Sequence, residues 1–580
     1  MYNYYNNFNT REDLKKDYGD NSLLIYALQL RYDIEDIKSV ASESLTDGHN
    51  DKKCDLIYVD KDTGLAVIAQ AYMKKNPSES DLAPANKASD LNTAAAWIFA
   101  RDISSVPEQI KDSVQELQEA IRNGDINSIY FWYVHNLNEK NNKDVQDELN
   151  TVQVAAQKLV DTFSEETEVK ILALEVGNAT IEKWYNNSNK RITIEDSMNV
   201  STNNEGFEII EEKWKACITA VSGKWLRKLC IDYKEDEIFS GNPRNFLGAG
   251  KRKNKINLGI METVKDHPKN FWAYNNGITA LVNNYHLDKE TKKLTIDGIT
   301  IINGAQTTGA IASVEKISSD FFVPIRFIVC NDSSVIQEII NNNNKQNEIL
   351  PSDLRSNDKQ QERLRKEFEK YPQLFYSGGR RDDKNHKNKE VFDPYMVAQT
   401  IMAYHGDCVK AYNDRKPIWD EDKDYSFIFS DQLSAEHIIF IYSLSRAIDE
   451  YKITLKNRKE MRTSNENQQF EMLSKRGAKM LLIYTIAESM EGILSKKILA
   501  SWSLAFKDNF NFDNNVNEWK KVIKSIMPFN QYLLPALEGG LKNKEQAKRS
   551  SEQVVSMVNA IQETLKIQLK TFIDSVSIEM

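Results

Sequence analysis

Two polar residues flank a pair of short apolar runs near the start of the chain. Leu56–Val59 and Leu65–Ala69 are separated by a short polar segment that contains Gly64, a pattern that predicts a β-hairpin. Asp55 precedes the first predicted strand, and Gln70 follows the second. The hairpin should therefore place the Asp55 carboxyl and the Gln70 amide at the same end of two neighbouring strands.

Such a pair has the chemistry of a divalent-metal site for phosphodiester cleavage. A metal that activates water for attack on phosphorus needs hard oxygen ligands and a cation beside the phosphate. Asp55, the Gln70 side-chain oxygen and the carbonyl of Ala71 could bind Mg²⁺. Asp51 could add a ligand, and Lys74 could supply the cation. The alternative is structural: a strand-edge acid for Asp55, a polar cap for Gln70 and a turn residue for Asp51.

A second group of amides and glycines adjoins the predicted strands Ile278–Val282 and Leu294–Ile302. A strand that runs into a glycine turn and then a helix can present backbone N–H groups to an anion. We therefore expect a nucleotide-binding or regulatory site here. The group comprises Asn275, Asn276, Gly277, Asn303, Gly304, Gln306 and Thr307.

Two basic segments could follow a nucleic-acid backbone, where each phosphate contact adds salt-dependent affinity. The first runs over residues 242–255 and is expected to be a flexible loop. Its Gly248-Ala-Gly-Lys251 sequence lacks the spacing of a Walker phosphate loop. The alternative for both segments is a solvated loop. The candidate contacts are Arg244, Lys251, Arg252, Lys253 and Lys255 in the first segment, and Arg380 and Arg381 in the second.

An aromatic run, Phe271-Trp272-Ala-Tyr274, lies just before the amide group. Aromatic rings can stack on bases, but the apolar flanks of this run favour burial in the core.

Helical periodicity alternates with apolar strands over the first 350 residues, which predicts an α/β fold with helices on the faces of a sheet. We divide the chain into residues 1–185, 186–355 and 356–580. The boundary near 185 rests on a polar segment, Trp184–Lys190, interpreted as a linker. The last part carries helical patterns almost throughout, so it is expected to be mainly helical.

Composition excludes several classes of protein. The chain has 580 residues, too many for one core, and a net charge of -9, so any nucleic acid must be held by a local basic groove. Five scattered cysteines and seven histidines show no zinc-ligand spacing, so no zinc is expected. The longest apolar run is too short to span a bilayer, and no leader sequence is evident, so the protein is expected to be cytoplasmic with no membrane partner.

The order of these motifs resembles that of the AIPR family of bacterial abortive-infection phage-resistance proteins. The resemblance covers residues 20 to 430 and rests on the two amide segments, on Asn242–Gly248 and on Asp353–Asp358. It implies a restriction-endonuclease-like domain of the PD-(D/E)XK type at the N-terminus, in the variant that has Gln in place of the acid. In that pattern Lys follows the Gln by two residues, whereas this chain has Tyr72. Lys74 would share the strand face of Gln70 if the strand extended that far.

Two functions follow from the residues and the resemblance. The first is a Mg²⁺-dependent endonuclease that cleaves DNA or RNA in antiphage defence, controlled by a nucleotide or a phage-derived trigger. The second is a catalytically silent protein that senses nucleic acid or a nucleotide. The helical C-terminal region would cover the central domain, recruit a partner or form a homo-oligomer.

Overall fold

The structure of the chain is a computed structural model. It describes residues 2–580 except 33, 35, 47, 49, 62, 79, 140–142, 165–168, 190–191, 193, 203–205, 234–237, 240–250, 289–292, 315, 318, 345–354, 356–357, 379–388, 415–416, 459–460, 508–510 and 578–580. The backbone alone is described for residues 187–189, 251–258, 306, 333–334, 337, 341, 344 and 417.

The chain forms two compact units, each built from separate stretches of sequence. The first unit contains Met1–Ile34, Asp51–Val106 and Gln115–Ile349. The second contains Glu35–Asn50, Pro107–Val114 and Leu350–Met580. Each unit therefore includes residues from the first 115 positions of the chain.

The first unit begins with helices and a four-stranded sheet of strand order β1-β2-β3-β4. The β1–β2 pair is antiparallel, whereas β2, β3 and β4 are parallel. The strands are β1 (Leu56–Asp60), β2 (Leu65–Tyr72), β3 (Ser128–His135) and β4 (Lys170–Val176). The helices of this part are α1 (Asn3–Thr10), α2 (Glu12–Tyr18), α3 (Ser22–Tyr32), α5 (Ala85–Phe99), α7 (Lys143–Phe163) and α8 (Asn178–Asn189).

Helices cover both faces of this sheet. Helices α3 and α8 pack on one face, where the buried Trp132 ring stacks on Tyr32 at 5.6 Å and lies 5.1 Å from Trp184. Helices α5 and α7 pack on the other face. Because β-strand side chains alternate, Tyr133 points to the opposite side from Trp132 and faces α5.

A seven-stranded sheet follows in the same unit, with strand order β5-β10-β8-β11-β7-β6 and β9 paired to β10. Its parallel β8–β11 pair sits among antiparallel neighbours. The strands are β5 (Ile194–Val200), β6 (Phe207–Ile210), β7 (Trp214–Ser222), β8 (Ile278–Leu281), β9 (Asn284–Asp288), β10 (Lys293–Asn303) and β11 (Phe322–Cys330). The helices are α9 (Gly223–Asp232), α10 (Lys251–Asp266), α11 (Phe271–Tyr274), α12 (Ala305–Ala312) and α13 (Ser333–Asn344).

Apolar side chains fill both faces of this sheet. The larger cluster lies under α9, α10 and α12 and includes Ile278, Ile301 and Phe327. The smaller cluster includes Leu281 and Ile328 and is covered by α13. The first residues of β8 and the last residues of β10 lie side by side at the same end of the sheet, because these strands are antiparallel.

The second unit is mainly helical around one large apolar cluster. Its longest helix, Ala435–Arg458, is buried along almost its whole length. Its elements are α4 (Ile37–Ser44), α14 (Lys359–Phe368), α15 (Pro394–Tyr404), α16 (Cys408–Asn413), α17 (Pro417–Asp420), α18 (Asp422–Ile428), α19 (Ala435–Arg458), α20 (Ser464–Ser474), α21 (Ala478–Glu488), α22 (Met490–Leu494), α23 (Phe512–Ile526), α24 (Leu534–Leu537), α25 (Lys544–Ala560), α26 (Gln562–Gln568), α27 (Lys570–Ser575) and the short strands β12 (Leu374–Tyr376), β13 (Glu390–Phe392), β14 (Ala505–Phe506) and β15 (Val576–Ser577). Helix α6 (Glu108–Arg122) begins in residues of this unit and ends in residues of the first.

Buried polar groups hold α4 within the second unit. Asp36 caps the helix by accepting from the Ser39 N–H at 3.1 Å. The Ser39 hydroxyl in turn donates to Asp449 Oδ2 at 3.0 Å, and Lys479 Nζ lies 2.6 Å from the same oxygen. A segment from the N-terminal region is thus part of the C-terminal core.

The mixed α/β architecture and the mainly helical C-terminal region are confirmed, as is the β-hairpin. Two local predictions were wrong. The linker predicted at Trp184–Lys190 lies largely in α8. The basic segment predicted as a loop is helical from Lys251 onward.

Candidate functional site

Asp55 and Gln70 meet at the end of the β-hairpin. Gln70 Nε2 donates to Asp55 Oδ2 at 2.7 Å, and the Ala71 N–H donates to the same oxygen at 2.7 Å. Both side chains are buried, with 8% and 7% of their surface exposed. The Gln70 Oε1 atom is buried and has no hydrogen-bond partner. A buried amide oxygen without a hydrogen-bond partner is a costly arrangement, since burial removes the water that would otherwise satisfy it.

The hairpin and its approach fix this pair. The Asp55 N–H donates to the Ala69 carbonyl at 2.8 Å, which continues the β1–β2 ladder by one residue. Before it, Lys52 and Lys53 both adopt left-handed φ angles of 55° and 68°. Asp51 Oδ1 accepts from the Lys53 N–H at 2.9 Å, so its carboxylate supports this turn.

Lys74 lies beyond the end of β2, which stops at Tyr72. Asn136 bonds the Lys74 backbone on both sides, accepting from its N–H and donating to its carbonyl, each at 2.9 Å. The Lys74 ammonium pairs with Asp81 at 2.6 Å and lowers the pKa of that carboxyl to about 2. Strand β2 therefore does not extend as far as Lys74, which was the condition for Lys74 to share the strand face of Gln70.

Two other lysines lie beside a single acid. Lys53 Nζ and Lys87 Nζ each lie 3.7 Å from Asp90 Oδ2. Lys53 is two residues before Asp55, and Lys87 is in the first turn of α5. One carboxylate between two ammonium groups leaves a net positive charge. The sequence signal for Lys53 was its proximity to Asp55, but nothing in the sequence linked it to Asp90.

A polar row crosses the parallel strands beside Gln70. Gln70, Tyr133 and Glu175 are register neighbours on β2, β3 and β4, and the Tyr133 hydroxyl donates to the Pro84 carbonyl at 3.2 Å. Burial raises the pKa of Tyr133 well above its usual range. His135 Nε2 lies 3.1 Å from Glu175 Oε1, and its Nδ1 accepts from the Leu137 N–H at 3.2 Å. Because Nδ1 is an acceptor, Nε2 carries the proton and donates to Glu175. Sequence reasoning missed this row, since its members are far apart in the chain.

The donor set suits a hard divalent cation bound weakly by the protein alone. It consists of one carboxylate, one amide oxygen and the Ala71 carbonyl, which lies 3.4 Å from Gln70 Nε2. Within the described residues, no group of three or more His, Cys, Asp and Glu side chains could hold a metal. Mg²⁺ commonly uses one or two carboxylates and completes its shell with water and phosphate oxygens. Turning the Gln70 amide over would present Oε1 where Nε2 now lies.

The second group of amides lies where the start of β8 is next to the end of β10. The Asn275 side chain accepts from the Gly277 N–H at 2.9 Å, and its Nδ2 donates to the Thr307 hydroxyl at 3.1 Å. Gly277 has a φ of 82°, and a Cβ there would lie 2.6 Å from the Pro324 carbonyl oxygen, so only glycine fits. Gly304, with a φ of 95°, is the N-cap residue of α12. Asn276 is exposed in the same turn, whereas the Gln306 side chain lies outside the described residues.

Asn303 belongs to a separate polar row on the face covered by α13. Asn303, Thr279 and Arg326 are register neighbours on β10, β8 and β11. The Arg326 guanidinium donates to the Thr279 hydroxyl at 2.7 Å and to Asn343 Oδ1 at 2.8 Å. Asn303 Nδ2 donates to the Asn343 carbonyl at 2.6 Å. Thr279 and Arg326 were not predicted as site residues, because both fell within strands interpreted only as core.

A family model described as AIPR protein matches residues 239–529, slightly more than half of the chain. The chain belongs to the AIPR family. Membership of the AIPR family supports a role in phage defence by abortive infection. No curated protein and no solved structure matches the chain.

The AIPR match includes the second amide group but begins after the Asp55–Gln70 pair. It also includes the predicted nucleic-acid contacts. Lys251, Arg252, Lys253 and Lys255 lie in the first turns of α10, with side chains outside the described residues. Arg244, Arg380 and Arg381 lie outside the described residues altogether.

Two further observations bear on the cell biology of this AIPR protein. No described helix combines the length and apolarity needed to cross a membrane. The five cysteines are free thiols, and Cys54, Cys217 and Cys408 are buried.

Proposed function

We propose that this AIPR protein is a metal-dependent nuclease of phage defence that cleaves DNA or RNA phosphodiesters at the Asp55–Gln70 pair. The observation that carries the proposal is the buried Gln70 Oε1 atom, which has no partner, while Nε2 of the same amide bonds the Asp55 carboxylate. With the amide turned over, a cation bound beside Asp55 would satisfy that oxygen and would neutralise the Asp55 charge.

The topology supports this assignment. Asp55 and Gln70 lie on an antiparallel hairpin. Its second strand, β2, pairs in parallel with β3, which pairs in parallel with β4. Helices α5 and α7 connect these strands and cover one face. A pair of ligands on adjacent strand ends, backed by a helix-covered sheet, is the arrangement that the restriction-endonuclease-like resemblance implies.

Each group has a distinct task in the proposed site. Asp55, Gln70 and the Ala71 carbonyl would hold Mg²⁺, which when bound would polarise a phosphoryl oxygen and lower the pKa of a water ligand. Lys53, two residues before Asp55, and Lys87, which shares Asp90 with it, would supply the positive charge that phosphate binding requires. Lys74 is occupied by Asp81 and would contribute less than these two lysines.

The test is cleavage of single-stranded and duplex DNA and RNA with Mg²⁺ or Mn²⁺ by the wild-type chain and by Asp55→Asn. Asn keeps an acceptor for the Ala71 N–H but removes the charge. We expect cleavage to fall by about 100-fold or more, at or beyond the upper end of the loss seen when a metal's supporting residue is removed.

Asp60→Asn is the matched control, because Asp60 ends the same strand in the hairpin turn and its Oδ1 accepts from the Thr63 N–H at 3.1 Å. It should cut as the wild type does. Undiminished cleavage by Asp55→Asn would exclude this site, and the thermal transition of each variant would show that it is folded.

A second function has its own support. Tyr72 occupies the position where the nuclease pattern has lysine, and the Lys74 ammonium is paired with Asp81. A catalytically silent protein that senses nucleic acid or a nucleotide would need no cation there. Such a protein would show nucleotide-induced thermal stabilisation that is lost in Gln306→Ala, and no metal-dependent cleavage.

A further inference from the structure

The short helix α11 exposes two aromatic rings. The structure describes all nine tryptophans of the chain, and only Trp272 is exposed, with 58% of its surface accessible. Tyr274 is 67% exposed. Phe271, at the start of the helix, is buried and packs against the Phe321 ring at 4.6 Å. The prediction that this aromatic run is core holds for Phe271 and was wrong for Trp272 and Tyr274.

The exposed rings are held in place rather than left loose. Phe271 anchors the helix to the core of the first unit. The Asn270 side-chain amide donates to the Tyr274 hydroxyl at 3.2 Å, which orients that ring. Single exposed apolar side chains are ordinary, but two large rings within three residues form a surface that favours a binding partner.

Lysines precede the rings. Lys265 and Lys269 are exposed in the ten residues before Tyr274, whereas Asp266 is the one acid among those ten. Helix α10 leads directly into this segment and is about 24 Å long. Its first five residues include three lysines and an arginine in the sequence. Two exposed rings preceded by two exposed lysines match the two features of a nucleic-acid strand, namely flat bases and charged phosphates.

We propose that the segment 265–276 binds single-stranded nucleic acid, with bases stacked on Trp272 and Tyr274 and phosphates neutralised by Lys265 and Lys269. Stacking needs free base faces, which a duplex hides within its own stack. A protein partner would use the rings but would have no need of the cations. The segment shares no residue with the Asp55–Gln70 pair, so the proposal does not depend on the nuclease proposal.

Fluorescence anisotropy of labelled oligo-dT and oligo-U, titrated with the full-length chain in EDTA, tests the proposal without cleavage. Trp272→Ala should weaken binding roughly 5- to 150-fold, the effect of losing one stacked base. Trp272→Phe keeps a ring and should retain most of the affinity. Lys265→Ala and Lys269→Ala should each reduce the dependence of log K on log salt by about 0.7.

Phe207→Ala is the matched control, because Phe207 is an equally exposed ring (58%) in the same unit but lies on the edge strand β6. It should bind as the wild type does. Equal binding by Trp272→Ala and the wild type would overturn the proposal, as would the absence of binding to both oligonucleotides. Binding to a duplex that is as tight as binding to the single strand, and that Trp272→Ala does not weaken, would overturn it too. A chain that binds the strand but does not cut it with Mg²⁺ would support this proposal and contradict the nuclease.

Discussion

At the scale of single residues, the Gln70 amide decides whether the Asp55 carboxylate is paired or repelled. Gln70→Glu replaces the donor at 2.7 Å with a second carboxyl. Two adjacent buried carboxylates repel, so the free energy of unfolding without metal should fall by about 1–3 kcal/mol. A bound cation would neutralise both groups. Urea unfolding with and without Mg²⁺ should therefore show the loss shrinking when metal is added.

Gln118→Glu provides the comparison for that variant. Gln118 is also buried in the first unit, and its Nε2 donates to the Ile98 carbonyl at 2.6 Å. The substitution adds the same charge at a buried position without a neighbouring Asp55. Its destabilisation should not respond to Mg²⁺, and equal metal rescue of both variants would contradict a specific site at Gln70.

A buried histidine pair predicts how stability depends on pH. His405 Nε2 lies 2.9 Å from His437 Nε2, and His437 Nδ1 donates to the Leu504 carbonyl at 2.7 Å. Burial lowers the pKa of His405 to about 2 and that of His437 to about 4. The unfolded chain binds these protons near pH 6.5 and the folded chain does not, so their stabilising contribution is complete above pH 6.5 and is lost as pH falls.

The expected slope is about 1.4 kcal/mol per pH unit for each histidine once pH is below 6. Urea unfolding between pH 7 and pH 5 measures it. His267→Gln, which changes an exposed histidine, should leave the slope unchanged, whereas His405→Gln should reduce it. A flat profile for the wild-type chain would mean that the pair does not stay neutral when folded.

At the scale of elements, local pattern predicted the hairpin but not its use. The β1–β2 register follows from two apolar runs and a glycine turn, so Asp55 and Gln70 could be paired from the sequence. The end of β2 at Tyr72 could not be predicted from the sequence, because it depends on Asn136, which is 62 residues away and bonds the Lys74 backbone. Trp272 shows the same limit, since sequence pattern does not say which ring of an aromatic run anchors the helix.

Helix α4 owes its place in the second unit to a buried ion pair. Arg446 Nη2 donates to Asp36 Oδ1 at 3.0 Å and to Glu390 Oε1 at 2.7 Å, and the Tyr442 hydroxyl donates to Asp36 Oδ2 at 2.6 Å. The positive charges of Arg446 and Lys479 and these hydrogen bonds outweigh the cost of burial and lower the pKa of Asp36 below its usual range. Asp36→Ala would leave Arg446 buried with one partner fewer.

We expect Asp36→Ala to lower the free energy of unfolding by about 3–5 kcal/mol, the cost of breaking a buried ion pair. Denaturant unfolding of the full-length chain measures this loss. Asp102→Ala is a suitable comparison, because Asp102 also caps a helical turn but is solvent-exposed. That variant should lose far less. Similar losses for the two would show that α4 is held by its cap alone.

At the scale of the whole chain, the stretches that build each unit are not contiguous, and the chain passes from one unit to the other at residues 35, 51, 107, 115 and 350. Asp36 and Arg446 are 410 residues apart, so their pairing is a property of the fold rather than of local sequence. The α/β and helical classes could be read from periodicity, whereas the assignment of α4 to the second unit could not.

The boundaries of the AIPR match give the last prediction, because they cut through a sheet. Residues 239–529 contain β8, β10 and β11 but lack β5, β6 and β7. Strand β11 pairs with β7 along all nine of its residues, so the fragment would expose a long unpaired edge and one face of the core. It would also lack α4 and the Asp36 carboxylate, one of the two that pair with Arg446. A fragment of residues 239–529 should therefore aggregate or melt without a cooperative transition, whereas the full-length chain should unfold cooperatively. Circular dichroism and size-exclusion chromatography of the two proteins would measure this difference, and a monomeric, cooperatively melting fragment would contradict the dependence of the matched region on the residues before it.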